Sequence, residues 1–210
     1  TDVLVHLASE GLKKNSQNNY TKNFKFNILD SYSMILNALD NDCKKFLISS
    51  TSSEYFNDGE CRNRNHKLDI SSKRSSNTAY AASKIIFTNL IKNLSEKHDA
   101  KFRIMRVFPT FGEGERGNRL YSLIKKCSKN RKSLYIKNPL EFRDFNHVDY
   151  VSSSFVEACK FNKIDKNFEV FHLSQNKVSS VKDFVEFYWK FFKAKGKLTF
   201  KKTKKNTFRH

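Results

Sequence analysis

Lys45-Phe46-Leu47-Ile48-Ser49-Ser50-Thr51-Ser52-Ser53 changes character at its midpoint, from three consecutive apolar residues to five hydroxyls. An apolar run without alternation predicts a strand buried on both faces, as in a parallel sheet. Upstream, Ile28, Ile35, Leu36 and Leu39 fall at helical intervals and predict a helix over 24–39, stopped by Asp40-Asn41-Asp42. Before a polar, Asn-rich stretch, Asp2 to Ala8 predicts another buried strand, ending in a Ser9-Glu10-Gly11 loop. Strand, helix, strand is a βαβ unit. Downstream, 54–78 is polar and aperiodic and is expected to be a long surface loop over a site. A helix follows from Tyr80 to about His98, with Ile86, Leu90 and Leu94 on one stripe. Phe102 to Phe108 predicts a third strand, running into Pro109 and a loop containing Gly112, Gly114 and Gly117. Further helices are expected over 120–127, 150–159 and 181–192, and strands over 133–136 and 170–173. The segment beyond Lys193 is basic and poorly patterned. Such alternation predicts an α/β fold with a mostly parallel sheet, and ligands of such folds lie at the carboxyl ends of the strands. His6 to Ser9, Ser49 to Ser53 and Phe108 to Gly114 would converge there on one crevice.

The chain has 210 residues and 38% hydrophobic residues, enough for one sizeable core. No apolar run approaches the roughly 18 residues of a membrane span. The formal net charge of +19 would attract polyanions. It is spread along the chain, however, with local density only in Lys125 to Lys132 and in the Lys193 to Lys205 tail, so no specific nucleic-acid partner is expected. Cys43, Cys61, Cys127 and Cys159 show no metal-type pairing and are too few for a disulfide scaffold, which suits a reducing cytoplasm. The chain opens on Thr1 rather than Met, directly into an apolar strand, and something upstream is expected to be missing.

Tyr80-Ala81-Ala82-Ser83-Lys84 puts a phenol and an ammonium on one helical face. A neighbouring positive charge favours the phenolate, so Lys84 is expected to bring Tyr80 below the ordinary phenol value of about 10. Thr51, just past the preceding strand, would share one substrate oxygen with Tyr80, although Ser50 or Ser52 could take its place. Tyr121 and Lys125 repeat the spacing without a strand and hydroxyl run before them, and are taken as a surface coincidence. His147 and Asp149 lack a nucleophile or third ligand, and no metal site is expected. Trp189 and Phe191-Phe192 are assigned to packing.

In this order the features resemble the extended short-chain dehydrogenase/reductase family, in its NAD-dependent nucleotide-sugar epimerase/dehydratase branch. The similar segments are Asp2 to Ala8, Asn27, Phe46 to Tyr55, the Tyr-x-x-x-Lys of Tyr80 to Lys84, Arg106-Val107-Phe108-Pro109-Thr110-Phe111-Gly112, and Arg143 to Asp149. The resemblance implies a Rossmann-like, N-terminally truncated fold. Residues 1–115 would be the remainder of the NAD(P)-binding domain. Residues 116–210 would be mainly a small C-terminal α+β substrate-binding part, interleaved with returning Rossmann elements.

It also implies an NAD(P)-dependent epimerase or 4-ketoreductase acting on a nucleoside-diphosphate sugar, with a homodimer left open. By position, Tyr80 would be the acid/base, Lys84 would lower its pKa and hold the nicotinamide ribose, and Thr51 would bond the reacting oxygen. His6, Ala8, Asn27 and Phe108 would line the cofactor, NAD or NADP, and Thr110 and Arg143 would face the substrate. Ser52-Ser53 after Thr51, where the 4,6-dehydratases carry Asp-Glu, argues against a dehydratase. Pro109 replaces the usual substrate-contacting Asn, and Phe56 stands where a Gly is common. The family's glycine-rich dinucleotide loop belongs ahead of Thr1. A catalytically inactive fragment that binds nucleotides or polyanions is the alternative.

Overall fold

The computed structural model describes residues 2–13, 15–55, 68–161 and 166–201. In chain order its elements begin with β1 (Leu4–His6), α1 (Tyr20–Phe24), α2 (Ser31–Asp40), β2 (Lys45–Thr51), α3 (Ala79–Ser95), β3 (Lys101–Val107) and β4 (Thr110–Phe111). They continue with α4 (Leu120–Lys129), β5 (Leu134–Ile136), β6 (Phe142–Asp144), β7 (Asn146–His147) and α5 (Val148–Ala158). The last are β8 (Phe168–Leu173), β9 (Val178–Ser180), α6 (Val181–Phe191) and β10 (Leu198–Phe200).

Four strands in the order β1-β2-β3-β8 form an all-parallel sheet. The register sets His6 beside Ile48, Ile48 beside Ile104 and Arg106 beside His172. Alternate residues therefore divide between two faces. Phe46, Ile48, Phe102 and Ile104 pack with Ile35 and Leu39 of α2 and Phe87, Ile91 and Leu94 of α3. On the other face Leu47, Met105 and Leu173 meet Val151 of α5. Burial on both sides accounts for the unbroken Phe-Leu-Ile of β2. β1 departs from expectation, because it is three residues long, sits at the sheet edge and leaves Val5 42% exposed.

The expected helix over 24–39 starts earlier, at Tyr20, where the Asn19 side chain accepts the amide of Lys22 at 2.9 Å. A π-helical segment, Lys25–Asp30, separates α1 from α2 and carries Asn27. A 3₁₀ turn, Ser52–Glu54, leads into the expected 54–78 loop, where Tyr55 bridges Ser75. Residues 56–67, Phe56 and Cys61 among them, lie outside the described residues.

A second core joins Phe111, Tyr121, Ile124, Ile136, Val181, Phe184 and Val185, with Trp189, Phe192 and Phe200 packed against it. The segment beyond Lys193 is not patternless. β10 pairs in parallel with β5, and Gly196 passes so close to Lys132 that a Cβ there would lie 2.2 Å from the Lys132 carbonyl oxygen. Tyr121 is buried in this core rather than at the surface, and Lys125 pairs with Glu113 at 2.6 Å. Phe192 packs as expected, but Phe191 is exposed. Among the described residues no helix is long and apolar enough to cross a membrane.

Candidate functional site

The carboxyl ends of β1 and β2 meet the amino end of α3. Thr51 closes β2 in extended conformation and caps the turn after it, its Oγ1 accepting the Ser53 amide at 3.1 Å. Thr78 caps α3 by accepting the Ala81 amide at 3.1 Å, and the Tyr80 amide donates to the Gln17 carbonyl at 2.9 Å. Asn27 joins these parts. Its Oδ1 accepts the Glu10 amide at 2.8 Å, and its Nδ2 donates to the Glu10 carbonyl at 3.0 Å and to Ser83 Oγ at 2.9 Å. Ser83 in turn donates to the Tyr80 carbonyl at 2.7 Å. One buried amide thus ties the loop after β1 to the first turn of α3.

Tyr80 and Lys84 continue the buried stripe of α3 that carries Phe87 and Ile91. The hydroxyls of Thr51 and Ser9 lie near the Tyr80 phenol. Its pKa is nevertheless raised, because burial disfavours the phenolate and the Glu54 carboxylate adds to this, while the two hydroxyls only partly oppose them. This corrects the expectation that Lys84 acidifies Tyr80. Lys84 is only 2% exposed, and its Nζ donates to the Ser49 carbonyl at 3.2 Å. Burial lowers its own pKa to about 8, against the opposing pull of Glu54. Among the described residues this is the ammonium's sole hydrogen bond, so the donor set retains capacity for the vicinal hydroxyls of a ribose.

The remaining expected residues are placed differently. His6 is buried, with Nε2 3.0 Å from Ser31 Oγ and its ring edge-on to Phe87; burial first and Lys84 second lower its pKa to about 4. It is fastened to α2 and α3. Ala8 is exposed, two residues past β1. Phe108 is half-buried against the His172 ring, 5.2 Å between centroids. Thr110 donates to the Phe108 carbonyl at 2.9 Å. Arg143 is exposed and pairs with Glu141 at 2.7 Å, not with Asp144 or Asp149. His147 caps α5 and lies 3.3 Å from Asp149, a structural use.

Ser50 donates to Glu54, which leaves Thr51 as the β2 hydroxyl near the phenol. Glu54 itself, fully buried beside the site, was not among the expected residues. Nor were Ser9, Arg106 and His172, although each stands at or just past a strand end, the position where polar residues deserve inspection in this fold. No group of three or more His, Cys, Asp or Glu side chains among the described residues could hold a metal ion.

The family model described as "NAD dependent epimerase/dehydratase family" matches residues 1–173. A search of curated proteins gives no match. Among solved structures, the UDP-N-acetylglucosamine 4-epimerase of Methanobrevibacter ruminantium M1, in complex with UDP-N-acetylmuramic acid, superposes with a TM-score of 0.82 at 20% identity. That match covers 100% of this chain and 66% of the other. The UDP-glucuronic acid 4-epimerase of Bacillus cereus, in complex with UDP-glucuronic acid and NAD, gives 0.80 at 20% identity over 96% of this chain and 63% of its own. RMD from Pseudomonas aeruginosa, complexed with NADPH, gives 0.83 at 14% identity over 95% and 69%. The chain spans just under two thirds of the length of the two epimerases.

Proposed function

The chain belongs to the NAD dependent epimerase/dehydratase family, and from that premise we propose that it serves an NAD(P)-dependent epimerase or 4-ketoreductase acting on a nucleoside-diphosphate sugar. The observation that carries the proposal is the meeting of Thr51, at the end of β2, with Tyr80 and Lys84, on the first turns of α3, at the carboxyl end of a parallel sheet, with the Lys84 ammonium on the Ser49 carbonyl. The neighbours' ligands, UDP-sugars with NAD in one structure and NADPH in another, support the substrate and cofactor classes.

When bound, the nicotinamide supplies acceptance and return of a hydride. Tyr80 moves the proton at the sugar oxygen that changes between hydroxyl and ketone. In the reducing direction the phenol gives its proton to the ketone oxygen as hydride reaches the carbon, and in the oxidising direction the phenolate takes the hydroxyl proton as hydride leaves. Thr51 bonds the same oxygen and orients it. Lys84 directs its remaining donors at the ribose, and Asn27 and Ser9 hold the loop that faces the cofactor. Residues 116–210 supply most of the substrate-binding part, with Thr110 and Arg143 at its margin; Arg143 would exchange Glu141 for a phosphate, whose geometry a guanidinium matches. Ser52-Ser53 favours epimerase or reductase over dehydratase.

The test is turnover of UDP-hexoses and their 4-keto forms with NAD or NADP, followed by product chromatography and nicotinamide absorbance. Tyr80→Phe is expected to lower kcat at least about 100-fold with the fold retained. Equal turnover by Tyr80→Phe would sink the assignment. A second role, binding nucleotides or polyanions without turnover, draws on one observation. The β5–β10 pairing brings the exposed Lys129, Arg131 and Lys132 beside Lys193, Lys195 and Lys197. Salt-dependent RNA binding unaltered by Tyr80→Phe, with no turnover, would favour it.

A further inference from the structure

Glu54 is the last residue of the turn after β2 and is 0% exposed. Four side chains from four parts of the chain hold its carboxylate. Ser50 of β2 donates to Oε1, and Thr88 of α3 donates to the same oxygen at 3.3 Å. Arg106 of β3 lies 3.2 Å from Oε2, and Arg74 of the loop before α3 lies 3.4 Å from it. The network extends outward. Arg106 donates to the Tyr55 hydroxyl, and that oxygen is 2.7 Å from His172 Nε2 of β8. Every strand of the sheet except edge strand β1 thus contributes a polar side chain to one buried cluster.

The cluster lies against Lys84. Thr88 is one helical turn beyond Lys84 on the same face of α3. The Ser49 carbonyl, which takes the ammonium, is adjacent in sequence to Ser50, which takes the carboxylate. Electrostatically Lys84 is coupled to His6 from β1 and Glu54 from the end of β2, with Tyr80 one turn before it on its own helix and with Arg74 and Arg106 paired to Oε2 of the same Glu54. Glu54 supplies the negative charge among them. A buried ammonium without a counter-charge loses its proton rather than remain charged.

We propose that Glu54 is a positioning residue for the site: its carboxylate locks the ends of β2 and β3 to α3 and is the counter-charge that keeps Lys84 an ammonium. It does not act on substrate, because its oxygens are enclosed by their four partners. The inference rests on the role proposed above for Lys84, but its test needs no turnover. A failure of catalysis with a normal Lys84 titration would count against that role alone.

The experiment is an NMR titration of the lysine side-chain resonances of the whole chain, with Lys84→Met identifying the Lys84 signal. The wild-type midpoint is expected near 8. In Glu54→Gln it is expected to fall so that proton affinity drops about tenfold, and in Glu54→Asp by less. Thr88→Val removes a hydrogen bond from the same network but keeps the charge, and is expected to leave the midpoint in place. A midpoint unmoved in Glu54→Gln overturns the proposal, as does an equal shift in Thr88→Val, which would assign the effect to packing. If Glu54→Gln does not fold, Glu54→Asp decides: a lowered midpoint supports the proposal and an unchanged one overturns it.

Discussion

His6 ends a strand at the site yet is fastened into the core, its ring nitrogen on Ser31 and its pKa lowered to about 4 by burial and by Lys84. The sign of the resulting pH dependence is fixed. The unfolded imidazole takes a proton near 6.5 and the folded one only near 4, so the stabilisation is complete above 6.5 and is lost as pH falls toward 4. Its size is roughly 3 kcal/mol. Urea unfolding at stepped pH is expected to show wild type losing more stability than His6→Asn across that window; parallel curves would refute it. At this scale the sequence was informative about Tyr80 and Lys84, because an i, i+4 pair on a helix is visible in spacing. Their double at Tyr121 and Lys125 has the same spacing and another fate, one partner in an aromatic core and the other on Glu113. Glu54 could not be found that way. An acid between Ser53 and Tyr55 in a polar stretch resembles any solvated loop residue, and only the assembled sheet shows that two arginines and two hydroxyls enclose it.

Among the elements, the loop after β1 is tightly constrained. Gly11 has φ +90, and a Cβ there would fall 2.0 Å from Asn23 Oδ1 and 3.0 Å from Tyr80 Cβ. Gly11→Ala combines backbone strain with a clash, and is expected to cost about 2–4 kcal/mol, read as a lower urea midpoint. Because the clash is against α1 and the start of α3, the loss should come with weakened turnover; full stability in the variant would contradict the geometry. The buried strand β2 was legible because an unbroken apolar run has few other uses, and β3 because its apolar residues outnumber the two arginines that interrupt them. β1 was legible as a strand within Asp2 to Ala8, though not its shortness or its edge position, and β10 was not legible at all. A three-residue strand such as β10 is defined by the partner it finds, here β5, and that partnership leaves little trace in a basic segment. The π-helical segment at Lys25–Asp30 escaped for a related reason, since the Asn27 it carries bonds to the Glu10 loop across 17 residues.

Over the whole molecule the formal net charge of +19 sets a self-repulsion that salt screens. The unfolding temperature is expected to rise as ionic strength goes from about 0.02 M to about 0.5 M; a flat or falling profile would mean that the charges are locally compensated. The α/β class was legible from alternation alone. The second core was less so, since it is assembled from 110–147 and 178–200 with α5 and β8 of the sheet lying between them. That wiring also orders events in time. As the chain leaves the ribosome, β1, β2 and β3 can associate with α2 and α3 early. The outer edge of β3, however, stays unpaired until Phe168 to Leu173 has been made, and β5 waits for Leu198. A nascent chain stalled in that interval presents the bare edge of Phe102 to Val107, the kind of template on which strands from other chains add.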